Sequence, residues 1–182
     1  MPDGAIIIRD AEASDFEAVK AVLMDAYAQY EWLLSKDRWE KYREEIIDSV
    51  SNSQVKARII AELDGLVIGS VFLYDSSEAA YGLPQLNINT PIMRLLAVAS
   101  NVRRRGVATQ LIWAGIRRSH QWGADMLHLH TSEVMGAAAQ LYERLGFERA
   151  HDKDIIKGDA IVKSYRFHVK EATQLWKGAL IT

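Results

Sequence analysis

Apolar and polar positions follow two rhythms along this chain, a period near two and a period near 3.6, and the switches between them mark the elements. Ile6 to Arg9 is a short β-branched run that predicts a first strand. Ser14, with Glu17 three residues on, has the form of a helix capping box. Behind it Phe16, Val19, Leu23 and Tyr27 recur at helical spacing, which predicts a helix to about Tyr30. A second helical stretch, about 36–50, carries Trp39, Tyr42, Ile46 and Ile47. The link between them, Tyr30 to Leu34, is rich in aromatic and apolar residues for a connector.

A hairpin follows. Val55, Ala57, Ile59, Ala61 and Leu63 alternate with mostly polar neighbours, Asp64-Gly65 makes the turn, and 66–74 returns. Residues 75–91 read as a loop, with Gly82, Pro84 and several asparagines. Ile92 to Val98 predicts a strand, 106–120 a helix, 125–131 a strand, 136–145 a helix ended by Gly146, and 161–169 a last strand. The order is strand, two helices, hairpin, strand, helix, strand, helix, strand. Alternation in the second half suggests parallel crossover units on a mixed sheet, an α/β or α+β domain in three layers. No repeat, low-complexity tract or domain boundary interrupts it, so 1–182 reads as one domain with a core of about 5–169 and a tail of 170–182.

Composition narrows the function classes. A hydrophobic share of 49% with 25% charged residues fits a globular chain and excludes a disordered or collagen-like one. With no cysteine, disulfides, thiolate nucleophiles and cysteine-bound metals are excluded. A net charge of -2 argues against a dedicated nucleic-acid binder. No apolar run reaches the roughly 20 residues of a membrane helix, and the N-terminus has no basic signal region, so a cytoplasmic protein without a membrane partner is expected.

Chemistry concentrates in Leu95 to Thr109. A buried strand runs into a basic turn, and a helix opens at small residues. The first N–H groups of a helix have no intrahelical partners, and with the macrodipole they suit phosphate. Gly106 and Ala108 allow close approach to the backbone, and Arg103, Arg104 and Arg105 add charge for a polyanion. A solvated arginine turn capping a helix explains the same residues. A second segment, Met135 to Phe147, shifts the balance. Together the two segments resemble the GNAT superfamily of acyl-CoA-dependent N-acetyltransferases. Arg103, Gly106 and Ala108 match its pyrophosphate loop, and Ala138, Tyr142, Gly146 and Phe147 match its Ala-x-x-x-Tyr-x-x-x-Gly-Phe signature. The element order from Ile6 to Val169 is also similar.

The resemblance implies a mixed, mostly antiparallel central sheet with helices on both faces, splayed between two parallel strands. It implies acetyl-CoA as co-substrate, with no metal. Pantetheine would bond to backbone around Leu96, Ala97 and Val98, near Met135 and Ala138. Pyrophosphate would sit on the amides of Arg104, Arg105, Gly106, Val107, Ala108 and Thr109. Tyr142 matches the tyrosine that faces the CoA sulfur and protonates the leaving thiolate. The family often has asparagine where Met135 stands and a glutamate base near Ile92, and this chain has neither.

Acetyl transfer needs a neutral amine. A lysine-like amine with pKa near 10.4 must be deprotonated at a cost of about 4–5 kcal/mol at pH 7. The base candidates are His130, which shares one strand face with His128, and Glu133 just beyond. Each has a structural alternative: packed, hydrogen-bonded histidines, and a glutamate favoured by a helix dipole. The histidine pair lacks a third ligand at metal-site spacing. Acceptor-pocket candidates are Tyr27, Tyr30, Glu31 and Trp32, with the 75–91 loop. The expected function is acetyl transfer from acetyl-CoA to a primary amine of a small molecule or peptide. The alternatives are a non-catalytic acyl-CoA sensor of the same fold and a different nucleotide-phosphate binder. The apolar tail, Leu175-Trp176 and Ala179 to Ile181, packs either on its own domain or on a second copy in a homodimer.

Overall fold

The computed structural model describes residues 4–132 and 135–172. These fall into two compact units, one of residues 4–73 and 95–115, the other of 74–94 and 116–172.

The first unit holds β1 (Ile7–Asp10), α1 (Phe16–Tyr27), α2 (Lys36–Ser51), β2 (Val55–Leu63), β3 (Leu66–Tyr74, to Leu73), the end of β4 (Ile92–Val98) and the start of α4 (Val107–Gln121). Its strand order is β1-β2-β3-β4, with β1 antiparallel to β2. The Asp64-Gly65 turn takes positive φ at both residues, 51° and 79°, as a tight hairpin demands. β3 is buried at every position from Ile68 to Leu73, which is the mark of a strand covered on both faces. α1 buries Val19, Val22, Leu23, Ala26 and Tyr27. α2 buries Trp39, Ile46 and Val50, and it starts at Ser35, whose side chain accepts from the Arg38 N–H. Gly69 permits close packing: a Cβ there would meet the Ala97 carbonyl and the Leu111 side chain at 3.0 Å.

The second unit holds α3 (Ser77–Tyr81), the start of β4, the rest of α4, β5 (Met126–Thr131), α5 (Gly136–Arg144), β6 (Glu148–Arg149), β7 (Ile155–Lys157) and β8 (Ala160–His168). Its strand order is β4-β5-β8-β6, with β7 paired to β8. β4 and β5 run parallel, pairing Ile92 with His128 and Met93 with Leu129. β5 and β8 are antiparallel from Met126↔His168 to Thr131↔Lys163. The fold is therefore a mixed α/β one, mostly antiparallel with one parallel pair, as expected.

Three local expectations change. The N-terminal cap is formed by Glu12 and Asp15, not Ser14 and Glu17: the Asp15 carboxylate accepts the Glu12 N–H at 2.8 Å. Asp15 is held there by Arg9, at 2.8 and 3.0 Å, a long-range constraint that a local pattern does not show. The loop 75–91 contains α3 and a 3-10 turn at Pro84–Leu86. The short strands β6 and β7 were not expected. Tail residues 173–182 lie outside the described residues, as does the packing expected of them.

Candidate functional site

β4 bends where its pairing with β5 stops. Leu95, two residues after Met93, has φ 55°, a left-handed conformation that a branched side chain adopts only under constraint. β4 then continues through Leu96, Ala97 and Val98 in the first unit, where the Ala99 N–H donates to the Ile68 carbonyl at 2.8 Å. A 3-10 turn follows at Ser100–Val102. Asp25 of α1 holds it: its carboxylate accepts from the Ser100 N–H at 2.6 Å and from the Ser100 hydroxyl at 3.0 Å.

The loop into α4 reverses hand repeatedly. Arg103 is extended, Arg104 has φ 65° and Gly106 has φ 77°. Changes of backbone hand of this kind are what loops that present N–H groups to an anion use, and this one lies just ahead of the first turn of α4. A Cβ at Gly106 would meet no atom within 4 Å, so the glycine is there for its backbone hand and its flank is open. Arg103, Arg104 and Arg105 are exposed, while Val107 is buried and anchors the helix start. Ala108 and Thr109 are half-buried. These residues fit a pyrophosphate group.

Beside this loop stand the acceptor candidates of the first unit. Tyr27 is buried and donates its hydroxyl to the Leu96 carbonyl at 3.4 Å. Tyr30 is half-buried; burial pushes its phenol up, and the nearby Arg103 charge opposes that. Glu31 is exposed, and Trp32 is 79% exposed, the largest apolar side chain left in solvent among the described residues.

The second unit gathers a different chemistry. His128 is buried, with Nδ1 3.2 Å from the Thr90 hydroxyl. Burial pushes it down to about 4, helped by the charges of His130, Arg166 and Lys153 and opposed by Asp152. His130 is half-buried, and both its ring nitrogens are engaged. Nε2 lies 2.9 Å from the Lys153 carbonyl, which only accepts, so Nε2 carries the proton. Nδ1 is then the acceptor for the Tyr81 hydroxyl at 3.0 Å. Burial lowers the His130 pKa, with opposing effects from the Lys153 carbonyl and Asp154. Arg94 lies over the rings of Tyr81, at 4.7 Å, and Tyr74, at 5.5 Å, and donates to the Ala80 carbonyl at 2.5 Å.

Tyr142 is buried on α5 among Phe147, at 5.7 Å between ring centres, and Tyr165, at 6.4 Å. Burial pushes the Tyr81 phenol above its ordinary range; Arg94 opposes this, and Tyr74 and Tyr142 add to it. Tyr142 is thus within electrostatic reach of Tyr81. Met135 and Ala138 are half-buried, and the Met135 side chain makes no cap bond to α5.

Residues 17–147 match the model of the acetyltransferase (GNAT) family. The chain belongs to that family. It is 31% identical to "Probable N-acetyltransferase camello" of Xenopus tropicalis over 91 residues, 50% of this chain and 38% of that protein. It is 25% identical to "N-acetyltransferase family 8 member 3" of Rattus norvegicus over 126 residues, 65% of this chain and 53% of that one. The chain spans about half or less of the curated relatives it matches. In fold it is similar to the PaiA N-acetyltransferase of Thermoplasma acidophilum, solved in complex with coenzyme A: TM-score 0.65, 16% identity, 90% of this chain and 99% of that one. It is also similar to an N-acetyltransferase of Staphylococcus aureus, with TM-score 0.60, 17% identity and coverage of 91% and 99%. Acetyl transfer from acyl-CoA is the chemistry of the GNAT family.

Within each unit the structure brings expected residues together: Tyr27 with Leu96, and Tyr30 with Arg103. Glu133 lies outside the described residues. Tyr81, Arg94 and Asp25 were not singled out by sequence reasoning. For Tyr81 the signal was indirect, since it sits in the 75–91 segment named as an acceptor element. For Asp25 there was none, because its partner is 75 residues away.

Proposed function

We propose that this GNAT protein moves an acetyl group from acetyl-CoA to a primary amine of a small molecule or peptide by direct transfer. The observation that carries the reading is the loop into α4, where two left-handed residues and three arginines precede an open helix start. The amides from Arg104 to Thr109 bind the pyrophosphate, and Arg103 adds charge. Backbone groups of Leu96, Ala97 and Val98 take the pantetheine arm, with Met135 and Ala138 lining it. An N–H near Val98 serves as oxyanion donor.

Tyr142 protonates the leaving thiolate. Its ring is packed against Phe147 and Tyr165, and a phenol hydroxyl has a proton to give. Tyr27, Tyr30, Glu31 and Trp32 contact the acceptor; exposed Trp32 and Glu31 suit an amine with an apolar body and a cationic head. The test is amine-dependent release of thiol from acetyl-CoA across amines, polyamines, amino acids and peptides. Acetyl-CoA binding without release for any of them would leave the sensor reading instead.

A further inference from the structure

Asp25 is a poor fit for its own helix. It stands in the last turn of α1, where the macrodipole is negative, no basic residue accompanies it, and aspartate has low helix propensity. It is also a negative charge beside a turn that leads into Arg103, Arg104 and Arg105. For a loop that binds pyrophosphate, a neighbouring carboxylate is unfavourable by Coulomb repulsion. A residue that its own element disfavours has its reason elsewhere in the fold. Here that reason is Ser100: the Asp25 carboxylate accepts both its backbone N–H, at 2.6 Å, and its hydroxyl, at 3.0 Å. Charge-assisted bonds of this kind are roughly twice as strong as neutral ones.

Ser100 begins the 3-10 turn that ends at Arg103. Two left-handed residues follow, Arg104 at φ 65° and Gly106 at φ 77°. A left-handed arginine is strained, and it persists where the structure on either side over-determines it. On the far side Val107 is buried and fixes the helix start. On the near side the turn is tied by buried Val102, by the Ala99 N–H on the Ile68 carbonyl at 2.8 Å, and by Asp25. Tyr27, two residues on from Asp25, holds the feeding strand through its hydroxyl bond to the Leu96 carbonyl at 3.4 Å. All of these groups lie in the first unit.

Resting on the assignment of this loop to the pyrophosphate of acetyl-CoA, we propose that Asp25 is a positioning residue for that donor. It holds the lead-in turn so that Arg104 and Gly106 keep the backbone hand in which the loop receives the phosphates, and it acts through Ser100. The role has a sign that separates it from a charge effect. Removing a carboxylate near the site of a polyanion raises affinity where its charge is what matters. Removing a strut lowers affinity, because the loop is then competent for a fraction of the time and the apparent affinity falls by that fraction. The two effects oppose each other, and in this loop the second is the larger.

The test is calorimetric affinity for acetyl-CoA at about 0.15 M salt, where the Debye length of about 8 Å mutes the charge effect without erasing it. Asp25→Ala places a good helix former at an exposed position, and affinity should weaken roughly tenfold, the size of one charge-assisted hydrogen bond. Asp25→Asn removes the same charge but keeps an oxygen for one Ser100 donor, and should recover part of that loss. Ser100→Ala should weaken binding in the wild-type chain and add nothing in the Asp25→Ala chain, because its hydroxyl acts through the carboxylate. Gly106→Trp is the control for the loop itself. If it weakens binding while Asp25→Ala binds acetyl-CoA as well as the wild type or better, the proposal is overturned, whatever the thermal midpoint does. A Ser100→Ala effect of equal size in both backgrounds, or no recovery in Asp25→Asn, overturns it too. Should Asp25→Ala not fold, Asp25→Asn and Ser100→Ala decide: both must bind more weakly than the wild type. A wild type that does not bind acetyl-CoA, or a folded Gly106→Trp protein that binds it unchanged, overturns the assignment of the loop and the proposal with it.

Discussion

Tyr142 and the two histidines of β5 show how surroundings sort similar side chains into different tasks. Tyr142 is packed between Phe147 and Tyr165, so Tyr142→Phe keeps the ring contacts and removes only the hydroxyl. Its single-turnover rate should fall about 10²–10⁴-fold with acetyl-CoA affinity unchanged, the signature of an interaction made in the transition state. A wild-type rate from pH 6 to 9 would make the tyrosine structural. His128 is a stability group. It titrates near 6.5 when unfolded and at about 4 when folded, because burial disfavours its charge. Between those values the unfolded chain binds a proton that the folded chain refuses. Stability is therefore lost as pH falls from about 6.5 to about 4. His130 acts in the same direction. In His128→Asn the drop in urea midpoint between about pH 7 and pH 4.5 should be smaller than in the wild type; an equal drop would contradict the assignment. Tyr142 could be singled out as a candidate because it stands in a motif of local spacing. Tyr81 could not, since its partner His130 is 49 residues away and only the fold joins them.

The element that matters most is the start of α4. Arg104 and Gly106 give it left-handed turns, Asp25 pins the preceding 3-10 turn, and Leu95 bends the strand that feeds it. Gly106→Trp adds a bulky group on an open flank and strains a backbone at φ 77°, of order 1–3 kcal/mol. Acetyl-CoA affinity measured by calorimetry should weaken tenfold or more, and Gly106→Ala less; unchanged affinity in a folded Gly106→Trp protein would remove the loop from the pyrophosphate site. The hairpin, β4 and α4 were legible because Asp64-Gly65, a β-branched run and a 3.6 periodicity each span enough residues to declare a period. α3, β6 and β7, at 5, 2 and 3 residues, are too short for any period to show. The bend at Leu95 has no sequence mark, because a left-handed leucine is imposed by packing and not by its own preference.

At the scale of the molecule, family, fold and donor chemistry stand on different supports. The family follows from the match over residues 17–147, and the fold from β-strand order and solved structures that share it at under 20% identity. No helix among the described residues is long and apolar enough to cross a membrane. The curated relatives are longer than the part this chain matches, so their substrates do not transfer to it. The direct test is a quenched single turnover with acetyl-labelled acetyl-CoA, with and without amine. The account predicts label on the amine, one equivalent of free thiol, and neither labelled protein nor released thiol when the amine is left out. Label on the protein, or acetyl-CoA bound and intact in the presence of every amine tried, would contradict it.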